Sequence, residues 1–348
     1  MPDQPPQEYH LYDPERQEVR IVVIHPPKRR YWLHALLLLA TLFTTLCMGA
    51  AMQDSFNRNL GLFAEDYWPV RWILQDWHRL ELGISYSACL LGILLAHELG
   101  HYVFCVLRRV FATLPFFLPS PLLIGTFGAF IRIRSPIRSR ADLFDIGIAG
   151  PIAGFVVAVP VLIFGLLASK PLTGEAATHA ANGEALMLGF PLIFHLVHWA
   201  MAAFGSHAAV VQLPVSSLYI RPVAMAAWVG MFATSLNLLP GGQLDGGHII
   251  FAVNPRLHRP ASLASTVILV VLSWYFWAGW LLWALVLRFT GARHPDVPLL
   301  PPLDAKRRVL AFFALVMLAL TLTPAPFNDH GLRGILKQYH DQQHQSQP

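Results

Sequence analysis

The residues best suited to chemistry in this 348-residue sequence are His97, Glu98 and His101, which stand together in the stretch HELGH. On an α-helix, residues four apart share a face, so His97 and His101 can both direct a ring nitrogen at one metal ion. Zinc is the metal that this spacing typically holds, and the intervening glutamate is then placed to act as a general base. The spacing therefore predicts a zinc site with Glu98 as the catalytic residue.

The surroundings of Glu98 make this prediction more specific. Glu98 alone interrupts an apolar run, 82–107, that otherwise contains no Asp, Glu, Lys or Arg. A carboxylate inside a membrane-spanning run costs about 2.5–3.5 kcal/mol on insertion scales, so Glu98 needs a partner there. The alternative to a metal site is a polar cluster that is satisfied by hydrogen bonds between helices.

Two histidines do not complete the site, because catalytic zinc usually has three protein ligands and an open position for water. The candidate third ligand is Asp245, in the stretch NLLPGGQLDGG that begins at Asn237. His248 follows Asp245 by three residues, but a fourth protein ligand would close the open position. We therefore expect His97, His101 and Asp245 to bind one zinc ion, and His248 to lie in a cytoplasmic loop.

The composition indicates that membrane helices position these residues. Hydrophobic residues make up 55% of the chain and charged residues 13%, against roughly 25% charged residues in a soluble domain. A membrane span needs about 20 apolar residues. Seven runs are candidates, counting the one around Glu98: 31–53, 82–107, 146–169, 185–220, 222–244, 260–287 and 309–328.

The charges favour a topology and exclude a nucleic-acid partner. The formal net charge is +5, but the basic residues stand at the ends of apolar runs, as the positive-inside rule expects. The basic residues at 28–30 place the N-terminus in the cytoplasm and make 31–53 a retained signal anchor. Run 222–244 then returns inward, so Asp245 arrives on the same side as His97 and His101.

Two runs do not fit a single crossing. Both ends of 185–220 lie outside by parity, and Pro191, Gly205 and Pro214 break the run, so we expect an interfacial or re-entrant segment. Both flanks of 260–287 are basic, which favours a helical hairpin bent near Gly279, with one tilted span as the alternative. The expected organisation is a cytoplasmic segment 1–30, the anchor 31–53, a catalytic core 82–247, C-terminal membrane helices 260–328 and a disordered tail 329–348.

The motif HELGH followed by N-x-x-P-x-x-x-x-D-G resembles the site-2 protease family of intramembrane zinc proteases. The resemblance covers the region from about residue 82 to residue 247, with both motifs in the family's order. It implies that Asp245 is the third zinc ligand and that Asn237 helps to hold the substrate or its reacting carbonyl. The alternative for Asn237 is a hydrogen bond between helices. The run AGPIAG at 149–154 also resembles a family motif and indicates close helix packing by small residues.

The segment GTFGAFIRIR at 125–134 predicts a substrate-binding element. Its end alternates between apolar and basic residues, and Gly125 and Gly128 permit close backbone approach. We expect a membrane-embedded β-hairpin whose edge pairs with an unwound substrate, an element that the resemblance also implies. An amphipathic surface loop is the alternative. The expected fold class is an all-α polytopic membrane protein, with a core of three transmembrane helices, this hairpin and additional peripheral helices.

These features predict an intramembrane zinc endopeptidase that cuts membrane-anchored proteins near the cytoplasmic side of the bilayer. Its expected partners are one Zn²⁺ per chain, single-pass membrane protein substrates and the lipid bilayer, and its expected location is a bacterial inner membrane. The oligomeric state is left open. A zinc-binding scaffold would not need Glu98, and a metal transporter would need several ligand clusters along a path. A prenyl-protein endopeptidase would use Glu or His as the third ligand.

Overall fold

The computed structural model describes residues 31–60, 69–122, 124–182, 187–204, 209–290, 297, 302–327 and 331–337, together with the backbone of 7–13 and 18–24. The described part is mostly helical. Its α-helices are α1 Tyr31–Arg58, α2 Pro69–Gln75, α3 Ile84–Leu107, α4 Arg140–Leu167, α5 Gly174–Ala181, α6 Leu192–Ala203, α7 Pro222–Asn237, α8 Asp245–Val253, α9 Pro255–Tyr275, α10 Trp280–Thr290 and α11 Ala305–Thr321. A 3-10 helix, Trp77–Gly83, leads directly into α3.

Four helices are long and apolar enough to cross a membrane by length and composition: α1, the continuous stretch Trp77–Leu107, α4 and α9. The shortest of them has 21 residues, which is about 31 Å at 1.5 Å per residue and matches a hydrocarbon core of about 30 Å. The length and composition of the helices therefore confirm the prediction of a mostly helical, multi-pass membrane protein.

Helices α3, α4 and α7 pack on one another. Glycines make the packing close. A Cβ added to Gly100 of α3 would lie 2.5 Å from the Ala149 carbonyl oxygen, and one added to Gly165 of α4 would lie 2.4 Å from the Ala224 nitrogen. Small residues at these crossings therefore set the distance between the helix axes.

Three two-stranded antiparallel sheets complete the described fold. They pair β1 Gln7–Asp13 with β2 Glu18–Ile24, β3 Phe116–Pro119 with β4 Thr126–Phe130, and β5 Lys170–Pro171 with β6 Leu218–Tyr219. The β3–β4 hairpin corresponds only in part to the predicted one. Segment 125–134 supplies β4, but its partner strand precedes that segment in the chain.

Helix α1 supports the turn of this hairpin. The Thr44 hydroxyl donates to the Gly125 carbonyl at 2.7 Å, and the Tyr86 hydroxyl of α3 donates to the Ile124 carbonyl at 2.9 Å. Gly125 has a φ of 79°, and a Cβ there would lie 2.7 Å from Thr45 Cα. The turn therefore needs glycine at this position, and the N-terminal helix is part of the hairpin's support.

Several apolar runs form shorter helices than their length suggests. Run 222–244 yields the 16-residue α7, because Pro240 and the glycines after it turn the chain back. Run 185–220 yields α6, whose 12 residues reach only about 18 Å and cannot cross a bilayer. Gly205, one of the predicted breaks in that run, lies outside the described residues.

The C-terminal region also departs from a set of simple spans. Run 260–287 is a helical hairpin of α9 and α10, which pack on each other and are separated by residues 276–279. The bend near Gly279 is confirmed. In the tail that was expected to be disordered, residues 332–337 are helical, and 338–348 lie outside the described residues.

One buried carboxylate ties three helix ends together. Asp145, near the start of α4, is 7% exposed. Arg307 of α11 donates to its two oxygens at 2.7 and 2.8 Å, and Arg108, which caps α3, also donates to it. A bidentate arginine pair of this kind is among the stronger ion-pair geometries.

Asp145→Asn should therefore destabilise the fold, because two arginines would then face a neutral amide. We expect the free energy of unfolding to fall by about 3 kcal/mol, as when one partner of a buried pair is removed. Chemical unfolding in detergent measures it. The control is Asp54→Asn, whose pair with Arg58 is surface-exposed and should change stability by less than about 1 kcal/mol. Equal losses in the two variants would contradict the assignment.

Candidate metal centre

Two separate parts of the chain present the metal-ligating side chains. Helix α3 carries His97 and His101 one turn apart on the same face, and α8 begins at Asp245. The chain reverses between α7 and α8 in a very tight turn. A Cβ added to Gly246 would lie 2.1 Å from the Leu238 carbonyl oxygen, and one added to Gly247 would lie 2.4 Å from that of Gly242. These two glycines let Asp245 approach α3.

The three ligand atoms converge at the spacing of a zinc site. His97 Nε2 and His101 Nε2 are 3.2 Å apart, and each lies 3.3 Å from Asp245 Oδ2. Tetrahedral zinc with bonds of about 2.0–2.1 Å holds its ligand atoms about 3.3 Å from one another. The residues therefore fit zinc as they stand. Within the described ranges they form the one cluster of three such groups that could hold a metal ion.

Neighbouring groups fix the form in which two of these ligands bind. His101 Nδ1 lies 2.7 Å from the Ile146 carbonyl oxygen of α4, so Nδ1 carries the proton and Nε2 is left for a metal. Asp245 Oδ2 lies 3.3 Å from both imidazoles, and this carboxyl would bind a metal ion in its ionised form. Neutral imidazole and ionised carboxylate are the forms that bind a metal ion.

A cavity of about 210 Å³ opens beside the ligands, and Glu98 and Asn237 line it. The Glu98 side chain is buried, and Ile131, just after β4, lines the same cavity. Asn237 Nδ2 lies 3.3 Å from His97 Nε2. The cavity thus brings together the metal ligands, the Glu98 carboxylate, the Asn237 amide and the end of β4. From β4 and the residue after it, Ala129, Phe130 and Ile131 line the cavity.

Helix α4 contributes two glycines that the sequence did not identify as part of the site. A Cβ added to Gly150 would lie 2.1 Å from His101 Nε2, and one added to Gly154 would lie 3.2 Å from His97 Nδ1. The run AGPIAG predicts close packing, but it does not reveal that a ligand imidazole fills the space. Only the pairing of α3 with α4 shows this.

The remaining predicted residues lie at varied distances from the cavity. Asn237 lines it, whereas Gly125 packs on α1 and neither Gly125 nor Gly128 is among the described lining residues. Gly128 has open space where a Cβ would stand, which leaves room for a neighbouring backbone. The prediction that His248 lies in a loop was wrong. His248 lies in helix α8, and it lines the cavity.

The sequence is similar to those of known proteins. A sequence model of Peptidase family M50 matches residues 85–277. "Probable zinc metalloprotease EGY1, chloroplastic" of Arabidopsis thaliana is 32% identical over 242 residues, which are 67% of this chain and 41% of that protein. "Probable zinc metalloprotease EGY2, chloroplastic" of the same plant is 29% identical over 286 residues, 80% of this chain and 48% of that protein.

"Probable zinc metalloprotease EGY1, chloroplastic" of rice, Oryza sativa subsp. japonica, is 28% identical over 308 residues, which are 85% of this chain and 50% of that protein. The chain therefore spans about half the length of the curated relatives it matches. These relatives are chloroplastic proteins of plants, so they give no support to the predicted bacterial inner membrane.

Gly150→Ala tests the contact between α4 and the site. Because the new methyl group would overlap His101 Nε2, we expect zinc affinity to fall at least about tenfold, the lower range for disturbed ligand orientation. Competition with a chelator of known affinity measures this. Gly92→Ala is the matched control, since a Cβ on Gly92 of α3 would meet no atom within 4 Å. Wild-type zinc affinity in Gly150→Ala would rule out the contact.

Proposed function

Because the chain belongs to peptidase family M50, the site-2 protease family, we propose that it is an intramembrane zinc endopeptidase that cuts membrane-anchored proteins. The observation that carries the proposal is the convergence of His97, His101 and Asp245 at 3.2–3.3 Å beside the buried Glu98. Two imidazoles and one carboxylate leave a position open for water, which is the arrangement of catalytic zinc sites.

The proposed chemistry divides between the metal and Glu98. Zinc bound by His97, His101 and Asp245 would lower the pKa of a water molecule and polarise the scissile carbonyl. Glu98 would take the proton of that water and deliver it to the leaving amine. The position of Glu98 supports this role as general base. Glu98 follows His97 directly in α3, and its side chain lines the same cavity as the ligands.

Asn237 would stabilise the reacting carbonyl. Its Nδ2 lies 3.3 Å from His97 Nε2, but that nitrogen cannot accept a hydrogen bond while it binds a metal. The amide would then be available to donate to a substrate oxygen at the open side of the site. The alternative role, a structural hydrogen bond between helices, predicts an effect on stability instead of turnover.

The substrate would bind as an extended strand along β4. A transmembrane helix hides its carbonyls in its own hydrogen bonds, so cleavage requires unwinding and replacement partners. Within the part of the chain that the structure describes, β4 pairs with β3 alone, and its last residues line the cavity. A strand added to its free edge would pass beside Glu98. Phe127 and Phe130 are 68% and 44% exposed. Large apolar side chains with this exposure favour contact of the hairpin with lipid or with a bound substrate.

The catalytic unit would be the predicted core 82–247, with α3, α4 and α7 as its three central helices. In this proposal α1 would be the anchor, 31–53, and α9, α10 and α11 would be the C-terminal membrane helices, 260–328. The proposed substrates are single-pass membrane proteins. The protein would be an integral, multi-pass membrane protein, and its location in a bacterial inner membrane stays a prediction.

A transporter is less well supported as the function, because the described residues contain a single ligand cluster.

The decisive experiment compares wild type with Glu98→Gln on tagged single-pass proteins in co-expression. We expect cleavage to fall by about 10²–10⁴-fold, the usual contribution of a general base, while the purified variant keeps one zinc per chain. Removal of zinc by a chelator should abolish cleavage, and added Zn²⁺ should restore it. Product formation by Glu98→Gln at the wild-type rate would reject the protease proposal, and absence of zinc from wild type would reject the metal site.

Asn237→Ala separates catalysis from structure at that position. We expect kcat to fall by about 10²–10³-fold, as when an oxyanion donor is removed, with the zinc content and the thermal midpoint near those of wild type. A lowered midpoint with unchanged kcat would instead assign Asn237 to helix packing.

A further inference from the structure

We infer that Arg140 is a positioning residue that sets the place of the zinc ligand Asp245 by holding the far end of α8. This inference rests on the proposed role of Asp245 as a ligand. It concerns a contact that lies two helical turns away from the metal site and involves none of the residues that line the cavity.

Arg140 holds two carbonyl groups at the C-terminal end of α8. Its Nε donates to the Ala252 carbonyl at 2.8 Å and its Nη2 to the Val253 carbonyl at 2.6 Å. The last carbonyls of a helix have no partner within the helix, and a cation is also favoured at that end by the helix dipole. Arg140 is 8% exposed and Ala252 is fully buried, so water cannot easily replace these bonds.

The opposite end of α8 rests on the same helix. A Cβ added to Gly147 of α4 would lie 3.3 Å from His248 Cβ and 3.7 Å from the Asp245 carbonyl oxygen. Helices α4 and α8 therefore run side by side in opposite directions, with contacts at both ends of α8.

The spacing along the two helices matches. Arg140 and Gly147 are seven residues apart, and so are Asp245 and Ala252, which corresponds to about 10.5 Å along each helix axis. Arg140 thus fixes α8 along the axis of α4. Since Asp245 is the first residue of α8, a shift of that helix would move the carboxylate relative to the imidazoles by the same amount.

The same helix α4 also orients the other side of the site. Its Ile146 carbonyl lies 2.7 Å from His101 Nδ1, one residue before Gly147. Helix α4 therefore carries both the group that orients His101 and the residue that anchors the helix of Asp245. Arg140 is the element of this arrangement that a single substitution can remove without touching a ligand.

The experiment measures metal affinity and geometry in the full chain, purified in detergent, for wild type, Arg140→Gln and Arg140→Lys. We expect the zinc dissociation constant to rise about tenfold or more in Arg140→Gln, in the range that follows the loss of groups that orient metal ligands. Arg140→Lys should show a smaller rise, because an ammonium keeps the charge but lacks the planar fork that reaches two carbonyls. In the Co²⁺-loaded protein, the visible spectrum of Arg140→Gln should differ from that of wild type.

Two arginines serve as matched controls. Arg307→Gln also removes a guanidinium from a buried contact with α4, at Asp145, but does not touch α8. Arg259→Gln removes an exposed arginine of α9. Both should keep the wild-type zinc dissociation constant, and Arg307→Gln should lower stability.

The outcomes separate this inference from the proposed function. Wild-type zinc affinity and cobalt spectrum in both Arg140 variants would overturn the positioning role, and so would an equal loss of affinity in Arg307→Gln. If Arg140→Gln does not fold, the lysine variant decides by the same criteria. Failure of the wild-type chain itself to bind zinc would instead reject the metal site on which the proposed function rests.

Discussion

The structure depends on one interaction: three polar side chains from two distant parts of the chain meet inside an apolar helical bundle. A buried carboxylate and two buried imidazoles are expensive to desolvate unless something compensates them. Their ligand atoms lie 3.2–3.3 Å apart, which is the separation that a tetrahedral cation imposes. The central helices are arranged so that this separation is possible.

Helix α4 has the largest part in that arrangement, although it contributes no ligand. Gly150 leaves the space that the His101 ring occupies, and Ile146 accepts the hydrogen bond that orients the ring. The N-terminal part of α4 holds α8 through Arg140, and Asp145 ties α4 to Arg108 and Arg307. Backbone carbonyl groups, glycines and one buried arginine, Arg140, therefore support the metal site, and metal centres generally require such groups around their ligands.

The β3–β4 hairpin is attached to a different part of the fold. Its turn is held by Thr44 of α1 and Tyr86 of α3, while the end of β4 reaches the cavity next to Glu98. The hairpin is thus supported at its turn and keeps one strand edge unpaired within the described sheet. An edge that is fixed in place and unpaired is suited to receive an extended segment of another chain.

The sequence by itself identified the candidate metal ligands and the apolar helices that carry them. The spacing of His97, Glu98 and His101 fixes which groups share a helix face, and the apolar runs fix most helix positions, because both depend on residues close together in the chain. The charges at the ends of apolar runs also predicted that Asp245 lies on the same side of the membrane as His97 and His101, and the structure brings these three residues together.

Only the tertiary structure decided which groups support the site. The first strand of the hairpin and the helical position of His248 depend on contacts between distant segments, which no local pattern records. The contacts of Gly150 with His101 and of Arg140 with Ala252 likewise join residues 49 and 112 positions apart. A glycine or an arginine has the same appearance in the sequence whatever it meets, so its role becomes visible only when the packed neighbour is known.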